Sequence, residues 1–113
     1  MLPLKNRIKK KKDFEKIFEK GKGFKEDFLI LKTINNNLKS SRFGFIVSKK
    51  ISKKANIRNK IRRKLREIIR IKLKKIEPGK DNLIITLPGL ETKDFWEIEE
   101  AITKLFKKAK IIK

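Results

Sequence analysis

Ile57, Ile61, Leu65, Ile68 and Ile69 recur with the spacing of an α-helix, and between or just after them stand Arg58, Asn59, Lys60, Arg62, Arg63, Arg66 and Arg70. At ~100° per residue the apolar side chains gather along one side of the rod, while Arg62, Arg66, Asn59, Arg70 and Arg63 fill the opposite arc. Such a helix must lay its dry face on a core supplied by the rest of the chain, and it keeps a second face that is almost wholly cationic. A solvated face normally mixes signs, because each opposite-charge i,i+4 pair gains about 0.2–0.5 kcal/mol and each like pair loses as much. Here Arg58, Arg62, Arg66 and Arg70 repeat every fourth residue with only Glu67 nearby.

Five of the chain's seven arginines lie in this segment, whereas lysines are spread from end to end. Lysine is the default cation, so arginine at these positions points to the guanidinium fork, which grips phosphate oxygens two at a time and stacks on bases. The formal net charge of +21, from 34 basic and 13 acidic residues among 113, makes a polyanion the expected partner. Lys49, Lys50, Lys53 and Lys54 extend the positive zone upstream, where Ser48, Ser52 and backbone amides are also expected to meet phosphates.

The composition removes most protein-based chemistry. The chain has no cysteine and no histidine, which excludes thiol catalysis, thiolate zinc sites and the commonest general base. The carboxylates do not cluster: Glu26 and Asp27 are adjacent in a strand-like segment, and Glu97, Glu99 and Glu100 open a helix where the helix dipole accounts for them. Neither catalytic nor metal-ligating side chains are expected. No apolar run reaches the ~18 residues of a membrane span, and Met1-Leu2-Pro3-Leu4 lacks the core of a secretory signal. A cytoplasmic protein of one domain, residues 1–113, is expected.

Along the chain, the spacing of Phe14, Ile17 and Phe18 predicts a helix over residues 13–20, stopped by Gly21. Residues 24–33, with Phe28-Leu29-Ile30-Leu31, read as one strand. Arg42 to Val47 alternates as a second, joined to the first as a hairpin through Asn35 to Ser41. The long helix runs from near Ile57 toward Pro78-Gly79. Asn82 to Leu87 reads as a strand buried on both faces, and Asp94 with Glu97 reads as a capping box opening a last helix that carries Phe95, Ile98, Ile102, Leu105, Phe106 and Ala109. The order helix-strand-strand-helix-strand-helix predicts an α+β fold, a small, mainly antiparallel sheet with helices packed on it. Phe43, Phe45, Phe95, Trp96 and Phe106 are assigned to its core.

Arg42-Phe43-Gly44-Phe45-Ile46-Val47-Ser48-Lys49-Lys50, followed by Arg58-Asn59-Lys60-Ile61-Arg62-Arg63 and Arg66-Glu67, resembles the protein subunit of bacterial ribonuclease P, and the resemblance covers almost the whole chain. The pair Phe14 and Phe18 is similar to the phenylalanines of that family's first helix. Two places depart from the pattern, Lys60 where arginine is usual and Ser52-Lys53-Lys54 in a loop where a glycine is common.

The resemblance implies a ribosomal-protein-like topology with a left-handed βαβ crossover. It also implies a ribonucleoprotein whose RNA, using magnesium, removes the 5′ leader of precursor transfer RNA while the protein assists. Expected partners are the catalytic RNA and the single-stranded leader, with no protein partner and no membrane. The expected RNA-binding residues are Arg42, Lys49, Lys50, Lys53, Lys54, Arg58, Asn59, Lys60, Arg62, Arg63, Arg66 and Arg70. Stacking platforms in a positive groove suit a leader of no fixed sequence, and Phe14, Phe18 and Phe24 are the candidates for a leader cleft. A ribosomal or ribosome-assembly RNA binder is the alternative.

Overall fold

The computed structural model describes residues 2–112. Its main elements are α1 (Lys11–Lys20), β1 (Lys22–Glu26), β2 (Leu29–Asn35), β3 (Arg42–Ile46), α2 (Ala55–Lys72), β4 (Lys80–Thr86) and α3 (Phe95–Ala109). Short 3₁₀ turns occupy Leu4–Asn6, Leu73–Lys75 and Leu90–Thr92. The class is α+β, as the patterning predicts. Among the described residues no helix is long and apolar enough to cross a membrane.

The sheet order is β1-β2-β4-β3, with β1/β2 and β2/β4 antiparallel and β3/β4 parallel. This overturns two expectations. The strand expected over residues 24–33 is a hairpin, because Asp27 adopts a positive φ of 49° and turns the chain after Glu26, so that Glu26 faces Leu29. Asp tolerates that conformation better than most residues, its short polar side chain bonding locally. The hairpin expected between β2 and β3 does not form, since β4 lies between them. β4 is buried on both faces, with Leu83 and Ile84 fully buried on opposite sides and Asp81, Asn82 and Thr86 buried beside them. Placing such a strand at an edge would expose apolar surface worth ~1.5–3 kcal/mol per side chain.

The two faces of the sheet are covered unequally, and this creates the site. On one face α2 and α3 press Ile61, Leu65, Ile68, Ile69, Ile98, Ile102, Leu105 and Phe106 onto Leu29, Leu31, Phe43 and Ile84. Phe43 and Phe106 meet with ring centroids 6.2 Å apart. On the other face only α1 lies over the strands, with Ile17 packed on Ile8 and Leu83 and with Ile34, Ile46 and Ile85 partly covered. A helix of 10 residues is ~15 Å long, too short to roof four strands, so a trough stays open beside it.

Local signals set the helix ends. Asp94 and Glu97 form the expected capping box on α3, the Asp94 side chain accepting from the Glu97 amide at 2.9 Å. Gly21 caps α1, its amide donating to the Ile17 carbonyl at 2.8 Å. α2 ends at Lys72, short of Pro78, and runs into the Leu73–Lys75 turn. Trp96 departs from its expected core position: it is 72% exposed on the outer side of α3, its ring edge-on to Phe95.

Candidate nucleic-acid interface

α1 turns Ile17 inward, which places Phe14 and Phe18 along the trough. Phe14 packs closely against Gly44 of β3: a Cβ built on Gly44 would stand 2.6 Å from Phe14 Cε1 and 2.8 Å from Cζ. The missing side chain at position 44 is what lets the ring sit there. Phe18 is 51% exposed, and Lys32 of β2 fixes it from behind. The Lys32 ammonium donates to the Phe18 carbonyl at 2.6 Å and rests 4.2 Å from the centre of the Phe18 ring, a cation–π contact. Together with Ile46, the two phenylalanines bound an apolar hollow of about 310 Å³, rimmed by Lys11, Glu15 and Glu19.

Phe14 is also a wall of a second hollow of about 240 Å³, lined by Arg7, Ile8, Lys9, Phe43, Gly44, Phe45, Arg62 and Arg66. Residues 7 and 8 reach it because the amino-terminal segment pairs with the edge of β3, the Ile8 amide donating to the Phe43 carbonyl at 2.9 Å. Among the described residues no carboxylate lies within ion-pair distance of Arg7, Arg62, Arg63 or Arg66. Partial burial, with the neighbouring charges of Arg7 and Arg62, holds the Arg66 guanidinium below its ordinary pKa. It remains charged at neutral pH. A cluster of guanidinium groups without counter-charge, beside aromatic rings, is suited to phosphates on one side and unpaired bases on the other.

The predicted residues divide into groups. Arg62 and Arg66 line the arginine hollow, Arg62 also donating to Asn59 Oδ1 at 2.7 Å. Asn59, Lys60 and Arg63 are exposed on the outer arc of α2, and Lys49, Lys50, Lys53 and Lys54 are exposed in the loop leading into it. Arg58 is half-buried and donates to the Ser52 carbonyl at 2.9 Å, tying the loop to the helix. The loop amides at Lys50 and Lys54 donate to Ser48 Oγ and Ser52 Oγ, so these two amides are taken within the loop, while the serine hydroxyls accept here and keep their own protons to donate.

Three assignments change. Arg42 points to the α1 face, where Asp81 accepts two hydrogen bonds from it at 2.8 and 2.7 Å and Asp13 stands 3.7 Å away. The hydrogen bonds to Asp81 raise its pKa, and its role in the fold is to clamp α1 to β3 and β4. Arg70 is exposed but bonded to Glu67, which raises the Arg70 pKa and lowers that of Glu67. Phe24 lies on the opposite side of the sheet from Phe14 and Phe18: it pairs with Leu31, shares its face, and packs partly buried beneath α3. Sequence reasoning passed over Arg7 and Lys32. Arg7 carried a usable signal, being one of only two arginines outside α2 in a chain that otherwise uses lysine.

The sequence matches the Ribonuclease P family over residues 2–110. The chain belongs to the ribonuclease P protein family. It is 35% identical over 107 residues to the ribonuclease P protein component of Alkaliphilus metalliredigens, covering 95% of this chain and 96% of that one. The corresponding protein of Fusobacterium nucleatum is also 35% identical, over 111 residues and 99% of its length. Among solved structures, the RNase P protein of Staphylococcus aureus superposes with a TM-score of 0.88 at 31% identity, covering 96% of this chain and 98% of that one. The RNase P protein of Thermotoga maritima gives 0.83 at 32% identity, covering 90% and 96%. The α+β architecture is therefore that of the ribonuclease P proteins.

Proposed function

We propose that this chain is the RNA-binding subunit of a ribonuclease P holoenzyme and assists a catalytic RNA in removing the 5′ leader of precursor transfer RNA. One observation carries the reading: the uncompensated Arg7, Arg62 and Arg66 hollow and the Phe14–Phe18 hollow are a single trough with Phe14 as their common wall. The outer arc of α2, with Asn59, Lys60 and Arg63, and the lysine loop ahead of it face the phosphates of the catalytic RNA. The trough holds the leader, bases against Phe14, Phe18 and Ile46 and backbone against the guanidinium groups.

The contribution is electrostatic positioning. Stacking on phenylalanine tolerates any base, and phosphate contacts carry no sequence information, so base identity in the leader is largely unread. Among the described residues no three acidic side chains are grouped to hold a metal ion. Of the acids near the trough, Asp13 and Asp81 are engaged with Arg42, and Glu15 stands 4.0 Å from Lys11. Magnesium is assigned to the catalytic RNA in this reading. The protein's cations lower the concentration of magnesium the RNA needs by neutralising phosphates in its place.

The test is reconstitution. Purified protein added to ribonuclease P RNA at low magnesium is expected to restore leader removal, and Phe18→Ala is expected to lose affinity for precursor with a leader but not for mature transfer RNA. Failure to restore cleavage would overturn the proposal in favour of an RNA binder without an enzymatic role.

A further inference from the structure

A third hollow, of about 360 Å³, is larger than either half of the trough and lies at the other end of the amino-terminal segment. Pro3 and Lys5 form one side, Ser40 of the β2–β3 loop another, and Leu73, Lys74 and Pro78, just beyond α2, the third. Its volume is at the lower end of the ~300–1,000 Å³ range of small-ligand sites.

The hollow is held open by the fold. The buried Asn6 side chain donates to the Ser41 carbonyl at 2.7 Å, and Ser41 Oγ donates to the Glu77 carbonyl at 2.6 Å, so three chain segments are pinned around it by side-chain hydrogen bonds. The Asn36 amide, donating to the Gly79 carbonyl at 2.9 Å, braces the same loop. Proline walls add rigidity, because the ring fixes φ. A ligand entering here has little chain to order, which lowers the entropic cost of binding.

The lining has two characters. Pro3, Leu73, Ile76 and Pro78 supply flat or aliphatic surface, while Lys5 and Lys74 supply ammonium groups, and no carboxylate residue is part of it. A free inorganic anion has no use for the apolar walls, and an apolar ligand has no use for the paired lysines. A nucleotide uses both, its base against the walls and its phosphate at the rim. Lys5 also lines a neighbouring hollow with Arg7, Lys9 and Arg42, and that hollow shares Arg7 and Lys9 with the arginine half of the trough. The hollows thus adjoin one another from Phe18 to Lys74 through shared residues, with Lys5, Arg7, Lys9 and Lys10 outnumbering Asp13 in the linking one.

We infer that the hollow between Lys5, Ser40 and Lys74 is a subsite for one unpaired nucleotide of the bound RNA. This rests on the reading of the trough as an RNA site and adds to it a second place where a base leaves its stack. The nucleotide comes either from the substrate leader or from a single-stranded element of the catalytic RNA, and the chemistry of capture is the same.

The chain has no cysteine, so Ser40→Cys offers one unambiguous attachment point for a benzophenone crosslinker. Lys11→Cys, at the rim of the Phe14–Phe18 hollow, serves as the reference. In the reconstituted complex both are expected to crosslink to RNA, the first to one or two unpaired nucleotides. Mapping to the leader or to the catalytic RNA identifies the source, and either supports the inference. The double variant Lys5→Ala, Lys74→Ala is expected to weaken binding of that RNA about tenfold. Lys107→Ala with Lys110→Ala, removing the same charge from exposed positions at the end of α3, is expected to change it no more than about twofold. Crosslinking from Lys11→Cys alone, with the two double variants equal, would overturn the nucleotide subsite and leave the trough standing. Crosslinking from neither would overturn both.

Discussion

Gly44→Ala tests the geometry of the trough at its common wall. The added methyl would stand 2.6 Å from Phe14 Cε1 and 2.8 Å from Cζ, whereas carbon atoms in contact settle at ~3.5–4.0 Å. The ring therefore has to retreat by about 1 Å, or β3 has to bend. β3 is anchored by its parallel pairing with β4 and by the Ile8 amide on the Phe43 carbonyl, so the ring is the part that yields. Overpacking of this kind costs about 1–3 kcal/mol. Urea denaturation should show that loss, and the affinity gained from the leader, measured as the ratio for precursor and mature transfer RNA, should fall about 5- to 150-fold if one stacked base worth ~1–3 kcal/mol is lost. Affinity for the catalytic RNA should stay within about twofold, because the outer arc of α2 is untouched. Adding Phe14→Leu to Gly44→Ala removes the clashing ring atoms, and should restore stability without restoring the leader effect. A Gly44→Ala protein of unchanged stability and unchanged leader dependence would refute the placement of Phe14.

Two further outcomes follow from the ion pairs. Arg42→Ala leaves Asp81, whose side chain is 8% exposed, with only the Asn36 side-chain amide as partner among the described residues; losing a hydrogen-bond partner at a largely buried carboxylate costs about 1–3 kcal/mol, and thermal unfolding should show it while the salt dependence of RNA binding does not change. Glu99 is held below the ordinary carboxylate value of 4.5 by its hydrogen bond from Lys72 at 2.6 Å, so its contribution to stability is present above that pH and is lost as pH falls through the lowered value. Glu99→Gln should accordingly flatten the acid limb of a stability-versus-pH curve below about pH 4.5 and leave Arg66 and the trough unaffected.

Short-range periodicity made α2 and α3 legible, because Ile61, Leu65 and Ile68 or Ile98, Ile102 and Leu105 must share a face wherever the helix docks. β4 was legible as a central strand for a similar reason, its apolar side chains alternating onto two buried faces. The β1–β2 turn was hidden by Phe28, which joins the apolar run Leu29-Ile30-Leu31 and masks the break at Asp27. That one turn also decides Phe24: the register opposite Leu31 sends it beneath α3, and no local pattern reports the register. Arg42 was misassigned because its partner Asp81 is distant in sequence and reaches it only through the parallel pairing of β3 with β4. Of the arginine row, Arg62 and Arg66 line the hollow beside Phe14, and Arg7 joins them there through a single bridge to Phe43 that a sequence pattern does not encode.

The most direct measurement is the salt dependence of binding to the catalytic RNA and to precursor transfer RNA, for the native chain and for Arg62→Ala with Arg66→Ala. Each lost phosphate contact flattens the log-log slope by roughly 0.7–0.9, so a loss of both contacts predicts a change of about 1.4–1.8. A double variant whose slope matches that of the native chain would contradict the account of Arg62 and Arg66 as open, uncompensated cations engaged with RNA.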